Sequence, residues 1–183
     1  MKLYDIIVTD PPWAYYGDQE KIGAAGKEYK LMTDEQILDF KYPLAPKGIL
    51  FMWATCPRLD MALFHLMQND LHYRGVGFVW VKTSKKGEPI GAQGVRPSIT
   101  KPLTELVICG SKVAKGRPMQ IASESICQTI FETRGDHSQK PEEMQSRIEA
   151  LYPDATKAEF FARRRRPGWD CFGDELPPES DPF

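Results

Sequence analysis

Short apolar runs alternate with longer periodic stretches along this chain. "YDIIVTD" (4–10), "GILFMWAT" (48–55), "YRGVGFVWVKT" (73–83) and "TELVICG" (104–110) are rich in β-branched and aromatic residues and bounded by proline, glycine or charge. Runs of this length with little polar alternation predict strands buried on both faces, as in a parallel sheet. "SICQTIFET" (125–133) reads as a short extended segment and "KAEFFARR" (157–164) as a further strand. Helical periodicity occupies the stretches between. In "EYKLMTDEQILDF" (28–40), Thr33, Asp34 and Glu35 mark a helix start. "PRLDMALFHLMQNDL" (57–71) repeats leucine and methionine at helical spacing. "KPEEMQSRIEALYP" (140–153) opens on proline and acids and sets Met144, Ile148 and Leu151 on one face.

Strands alternating with helices predict an α/β fold, a Rossmann-like doubly wound sheet that is mostly parallel. Ligands of such sheets sit beyond the carboxyl ends of the strands. Both "DPPW" (10–13) and the run Arg163–Arg166 leave predicted strands at that edge, so the two ends of the chain should be neighbours in space. Neither a repeat nor an internal boundary interrupts the 183 residues, which fit one domain. A basic, glycine- and proline-rich insertion at about 82–104 reads as a functional loop, and 176–183 as a flexible tail.

Composition narrows the function classes. No run approaches the ~20 apolar residues of a membrane span, and the first residues lack a secretion signal. The chain therefore reads as an intracellular, cytoplasmic protein. Cys56, Cys109, Cys127 and Cys171 are scattered without metal-ligand spacing and read as reduced, mostly buried thiols. No metal site is predicted. Net charge is only −1, yet Lys82, Lys85, Lys86, Arg96, Lys101, Lys112, Lys115 and Arg117 are opposed between 82 and 117 only by Glu88 and Glu105. Such a stretch suits either a polyanion or a solvated surface. A P-loop ATPase is excluded because no GxxxxGK[ST] occurs, and a zinc deaminase because its H-x-E and P-C-x-x-C pattern is missing.

The candidate chemistry lies where the first strand stops. An amine conjugated to a purine ring is a poor nucleophile, because its lone pair is delocalised. A site that accepts both its hydrogens favours a pyramidal nitrogen with that pair aimed at an electrophile. Asp10 can accept one hydrogen and the Pro11 carbonyl the other, proline being a rigid acceptor with no donor of its own. Pro12 stiffens the turn, and Trp13 offers a flat face for a base, worth about 1–3 kcal/mol. A paired base cannot be reached, so the target must be flipped or unpaired.

With this motif the chain resembles the DPPW-type adenine N6-methyltransferases, which include the catalytic subunit of the messenger-RNA adenosine methyltransferase and many bacterial and phage DNA enzymes. "YDIIVTDPPW", "GILFMWAT", "GFVWVKTSKKGEP", "TELVICG", "HSQKPEEM" and "EFFARRRRPGWDCFGDE" follow the family's order over nearly the whole chain. The resemblance implies a permuted Rossmann-like methyltransferase, with S-adenosyl-L-methionine as methyl donor and direct transfer to the N6 amine of adenine. Asp10, Pro11, Pro12 and Trp13 match the catalytic motif. Lys140 matches a lysine near donor and target, suited to the donor's carboxylate or to the developing negative partner in transfer. His137 and Ser138 shape the turn before it. Arg163, Arg165 and Arg166 match positions that contact the donor's ribose, and Asp174 with Glu175 a pair near its adenosine. Many relatives carry asparagine at the position of Asp174.

Glu105 matches an acidic residue near the target base. Before it, Lys101, Pro102 and Leu103 stand where many relatives carry an arginine-serine-asparagine-like sequence, a departure that bears on target choice. Lys85, Lys86 and Lys101 become candidates for contact with nucleic acid, and the glycine-rich 17–30 for a gate over the base. The partner implied is DNA, by analogy with short microbial members, with RNA as the alternative. The chain would act as a monomer or homodimer. A non-catalytic nucleic-acid-binding subunit is the remaining alternative.

Overall fold

A computed structural model of the chain describes residues 2–13, 32–91, 99–133 and 139–177. Seven strands form one sheet: β1 (Tyr4–Thr9), β2 (Leu44–Thr55), β3 (His72–Thr83), β4 (Thr104–Ser111), β5 (Thr129–Thr133), β6 (Lys157–Phe160) and β7 (Asp170–Phe172). Their spatial order is β5-β3-β4-β2-β1-β6-β7. β1 pairs in parallel with both β2 and β6, β3 with β5, and β6 with β7. β4 alone runs antiparallel, between β2 and β3. The sheet is thus mostly parallel, as the uninterrupted apolar runs predict.

Helices α1 (Asp34–Asp39) and α2 (Leu59–Gln68) cover one face and α3 (Glu142–Leu151) the other. α1 begins where predicted, by a reciprocal cap. Thr33 Oγ1 accepts from the Gln36 backbone, and the Gln36 side chain accepts from the Thr33 N–H. α2 is entered through a tight turn at Cys56–Arg58 and buries Ala62, His65 and Leu66, the spacing of one helical stripe. α3 buries Met144, Gln145 and Ile148, while Leu151 is only partly covered. On β2, Leu50, Met52 and Ala54 face the α1–α2 layer, and Ile49, Phe51 and Trp53 face α3. Full burial of such side chains contributes about 1.5–3 kcal/mol each.

Two elements differ from the pattern-based reading. "KAEFFARR" stops being a strand after Phe160, because Phe161 takes a left-handed φ of 59°. For an aromatic residue that conformation costs on the order of 1–3 kcal/mol. The short strand β7 was not predicted, its three residues being too few to show a period. Its exit passes so close to that of β6 that a Cβ on Gly173 would lie 2.2 Å from the Ala162 carbonyl oxygen. Only glycine fits there.

The chain leaves β1 for β2 on one side and returns through α3 to β6 on the other. β1 is therefore the point where strand order diverges, the position at which open sheets bind ligands. The carboxyl ends of all six co-directional strands, together with the start of β4, lie along one edge.

Candidate active site

Thr9, the last residue of β1, is paired with Met52 and Phe160, and the chain then meets Pro11 and Pro12, which cannot extend a ladder. Asp10 is delivered at the divergence point. Its Oδ2 lies 3.0 Å from Lys140 Nζ, and the same ammonium is 3.1 Å from Glu105 Oε2. Lys82 pairs with the other oxygen of Glu105. Two carboxylates and two ammoniums thus alternate in the order Asp10, Lys140, Glu105, Lys82.

The surroundings fix the charges. Burial works against the ammonium of Lys140, but Asp10 and Glu105 outweigh it and hold its pKa above the ordinary lysine value. Burial likewise opposes ionisation of Glu105, and Lys140 and Lys82 reverse it, so that its pKa falls below the ordinary value. Each lysine also rests on an indole: Lys140 Nζ lies 5.5 Å from the Trp53 ring centre and Lys82 Nζ 5.1 Å from that of Trp80. The two indoles meet edge to face at 6.2 Å.

A cavity of about 720 Å³ opens beside Asp10 and Pro12, between α1 and the ends of β6 and β7. Phe40, Phe161 and Phe172 give it aromatic walls, and Arg163, Asp174 and Glu175 line it with charge. Arg163 Nε approaches Glu175 Oε2 at 3.6 Å. Asp10, Pro12 and the start of the arginine run, far apart in sequence, therefore border one space. Its volume falls within the roughly 300–1,000 Å³ of small-molecule sites. Flat apolar walls suit a purine, and carboxylates suit the hydroxyls of a ribose, so these residues fit a nucleoside-bearing donor.

Several predicted residues take other places. Trp13 is only 6% exposed; its indole N–H donates to the Trp53 carbonyl at 3.2 Å and its ring stands edge-on to His65. The open stacking face expected of it is packed into the core, since a large ring gains by burial once its single donor is satisfied. Pro11 already accepts the Trp13 backbone N–H at 2.8 Å, leaving its carbonyl a second lone pair. Arg166 turns from the cavity and grips Glu149 of α3 with two bonds of 2.7 and 2.9 Å. It is a fork-to-carboxylate strut between β6 and α3 rather than a wall of the cavity. Arg165 is exposed and does not line the cavity either.

Lys140 is likewise no part of the cavity wall. Its ammonium is shared by two carboxylates of its own chain, Asp10 and Glu105. Lys85 and Lys86 stand exposed in the turn closed by the Gly87 N–H on the Ser84 carbonyl, and Lys101 is exposed beyond it. Arg96, His137, Ser138, the predicted gate 17–30 and the tail from 178 onward lie outside the described residues. The thiols differ from expectation as well: Cys109 is buried, but Cys56 and Cys127 are exposed and Cys171 is half-covered.

Sequence reasoning missed Lys82 as part of the site, and with it the two indole supports. The signal was available. Lys82 follows Trp80 by two residues on one strand and so shares its face. Trp80 in turn pairs with Glu105 across β3 and β4.

A ligand cavity at the divergence point of a mostly parallel sheet, beside an Asp-Pro-Pro-Trp corner, defines a Rossmann-like methyltransferase. The chain belongs to the MT-A70 family, whose match runs over residues 4–175. It is 29% identical over 197 residues to the type II methyltransferase M.MunI of Mycoplasma sp, covering 96% of this chain and 79% of that protein. It is 27% identical to the human N(6)-adenosine-methyltransferase catalytic subunit METTL3, over 94% of this chain but 28% of METTL3. To the human N(6)-adenine-specific methyltransferase METTL4 it is 26% identical, over 96% of this chain and 38% of METTL4. Among the described residues no helix is long and apolar enough to cross a membrane, and no three His, Cys, Asp or Glu side chains group as metal ligands do.

Proposed function

We propose that this protein transfers a methyl group from S-adenosyl-L-methionine to the N6 amine of adenine in DNA. The observation that carries the reading is the position of Asp10, which lines the 720 Å³ cavity while its carboxylate is held by Lys140. When bound, S-adenosylmethionine supplies a methyl carbon activated by its sulfonium. Asp174 and Glu175 would hold its ribose, with Arg163 beside them and Phe40 and Phe161 against its base.

The protein's own part is alignment. Asp10 accepts one hydrogen of the target amine through an oxygen that Lys140 keeps from rotating. Pro11 takes the second hydrogen on the lone pair that Trp13 leaves unused. Glu105 borders the target base, its charge balanced by Lys82 so that it does not draw Lys140 away from Asp10. Asp10 is also the nearest acceptor for the proton that leaves the nitrogen. Lys85, Lys86 and Lys101 meet the phosphate backbone. The protein forms one domain and works in the cytoplasm, as a monomer or homodimer.

Similarity to a type II methyltransferase along 96% of the chain supports DNA as substrate. RNA is the second reading, favoured by the 27% identity to METTL3. Methyl incorporation into matched DNA and RNA oligonucleotides separates the two. Asp10→Ala should lower turnover at least about 10³-fold while calorimetry finds donor affinity within twofold of wild type. Substantial residual turnover would refute the role of Asp10.

A further inference from the structure

A chain of buried polar groups lies under the Asp10–Trp13 corner, in an otherwise apolar cluster. Thr9 Oγ1 is 3.0 Å from the Tyr42 hydroxyl, which is 3.2 Å from His65 Nε2. Thr9 and His65 are wholly buried, and Tyr42 is 9% exposed. The His65 ring meets Tyr42 edge to face at 5.5 Å and Trp13 at 6.5 Å. Three segments contribute: the end of β1, the link from α1 to β2, and α2.

Burying hydroxyls and an imidazole costs free energy that apolar side chains of similar volume would not incur. What the polar chain adds is direction. It ties down Thr9, immediately before Asp10, and packs against Trp13, three residues after it. Only Asp10, Pro11 and Pro12 lie between those anchors, and two of the three have φ fixed by their rings. With both ends held, little freedom remains for the direction in which the Asp10 carboxylate leaves the corner.

We propose that Tyr42 and His65 are positioning residues for transfer at Asp10, holding the corner through Thr9 on one side and Trp13 on the other. The inference rests on the assignment of Asp10 as acceptor of the target amine. Neither side chain touches substrate. Their effect falls on turnover rather than on donor binding, because the donor cavity is walled by other residues.

The test uses the full chain with Tyr42→Phe, which keeps the aromatic ring and removes the hydroxyl shared by Thr9 and His65. Thr9→Val, nearly the same shape, is the second variant should the first not fold. At saturating donor and oligonucleotide, turnover should fall about tenfold, with donor affinity by calorimetry within twofold of wild type. Solvent exchange of the Trp13 indole N–H, assigned through Trp13→Phe, should quicken at least about tenfold because His65 loses its tether. Unchanged turnover with unchanged exchange overturns the proposal, as does a loss of donor affinity and unfolding temperature in proportion to turnover. If the wild type methylates neither DNA nor RNA, the reading of the site fails. The exchange rate then decides the tether alone: quickened exchange upholds it and unchanged exchange rejects it.

Discussion

Two pairs of carboxylates stand at the same edge of the sheet in opposite surroundings. Asp10 and Glu105 share Lys140, and their side chains are 22% and 12% exposed. Asp174 and Glu175 are exposed on the cavity rim, where Glu175 meets Arg163 only at 3.6 Å. Locked carboxylates cannot swing, so they serve chemistry that depends on direction. Exposed ones remain hydrated and adaptable, so they serve recognition of hydroxyls that arrive with a ligand. Removing a locked group should therefore disturb rate, and removing an exposed one affinity.

The strongest way to break this contrast is Lys140→Met. It leaves two carboxylates facing each other across the space the ammonium held, with Asp10 no longer oriented. Turnover should fall about 10²–10³-fold, with donor affinity little changed in calorimetry. A loss confined to donor affinity would place Lys140 on the recognition side of the comparison.

Acid sharpens it further, since the buried groups respond in different windows. Burial first, and the charge of Lys41 second, push the His65 imidazole down to about 4 from 6.5. Below pH 6.5 the unfolded chain binds a proton that the folded chain refuses, so stability falls as pH drops towards 4. The difference, 6.5 − 4, at about 1.4 kcal/mol per unit, sets an upper bound of about 3.5 kcal/mol. Glu105, with its lowered pKa, contributes fully above the ordinary carboxylate range, and that contribution is lost only as pH falls through its depressed value. Denaturant unfolding of wild type and His65→Asn from pH 4 to 7 should show the first loss in wild type alone. Parallel curves would remove His65 as its cause.

The smallest effects divide the rim from the struts. Asp174→Asn should weaken donor binding about three- to tenfold and leave turnover at saturating donor unchanged. Arg166→Ala should instead cost about 1–2 kcal/mol of stability, read by denaturant unfolding, with donor affinity intact. A loss of donor affinity from Arg166→Ala would return that residue to the cavity.

Much of the fold was legible because the signals were local. The buried strand 4–9, its proline stop, the capped start of α1 and the acid-led α3 each follow from neighbouring residues. The partition of the arginine run was not legible. Arg163 and Arg166 are three residues apart in a stretch without helix or strand, yet one borders the cavity beside Glu175 and the other clasps Glu149 of α3, partners set by the tertiary fold. Nor was the burial of Trp13, because its acceptor, the Trp53 carbonyl, lies 40 residues away.

By itself the sequence determined where strands begin and stop, and that an aspartate followed by two prolines leaves the first strand. Those outcomes depend on side-chain shape, fixed φ and short-range periodicity, all written within a few residues. Tertiary structure alone decided which charges meet. The antiparallel β4 brings Glu105 opposite Trp80, and the return through α3 brings Lys140 between two acids. Coulombic pairing falls off over a few ångströms, and only the sheet's strand order sets distances on that scale between residues so far apart in the chain.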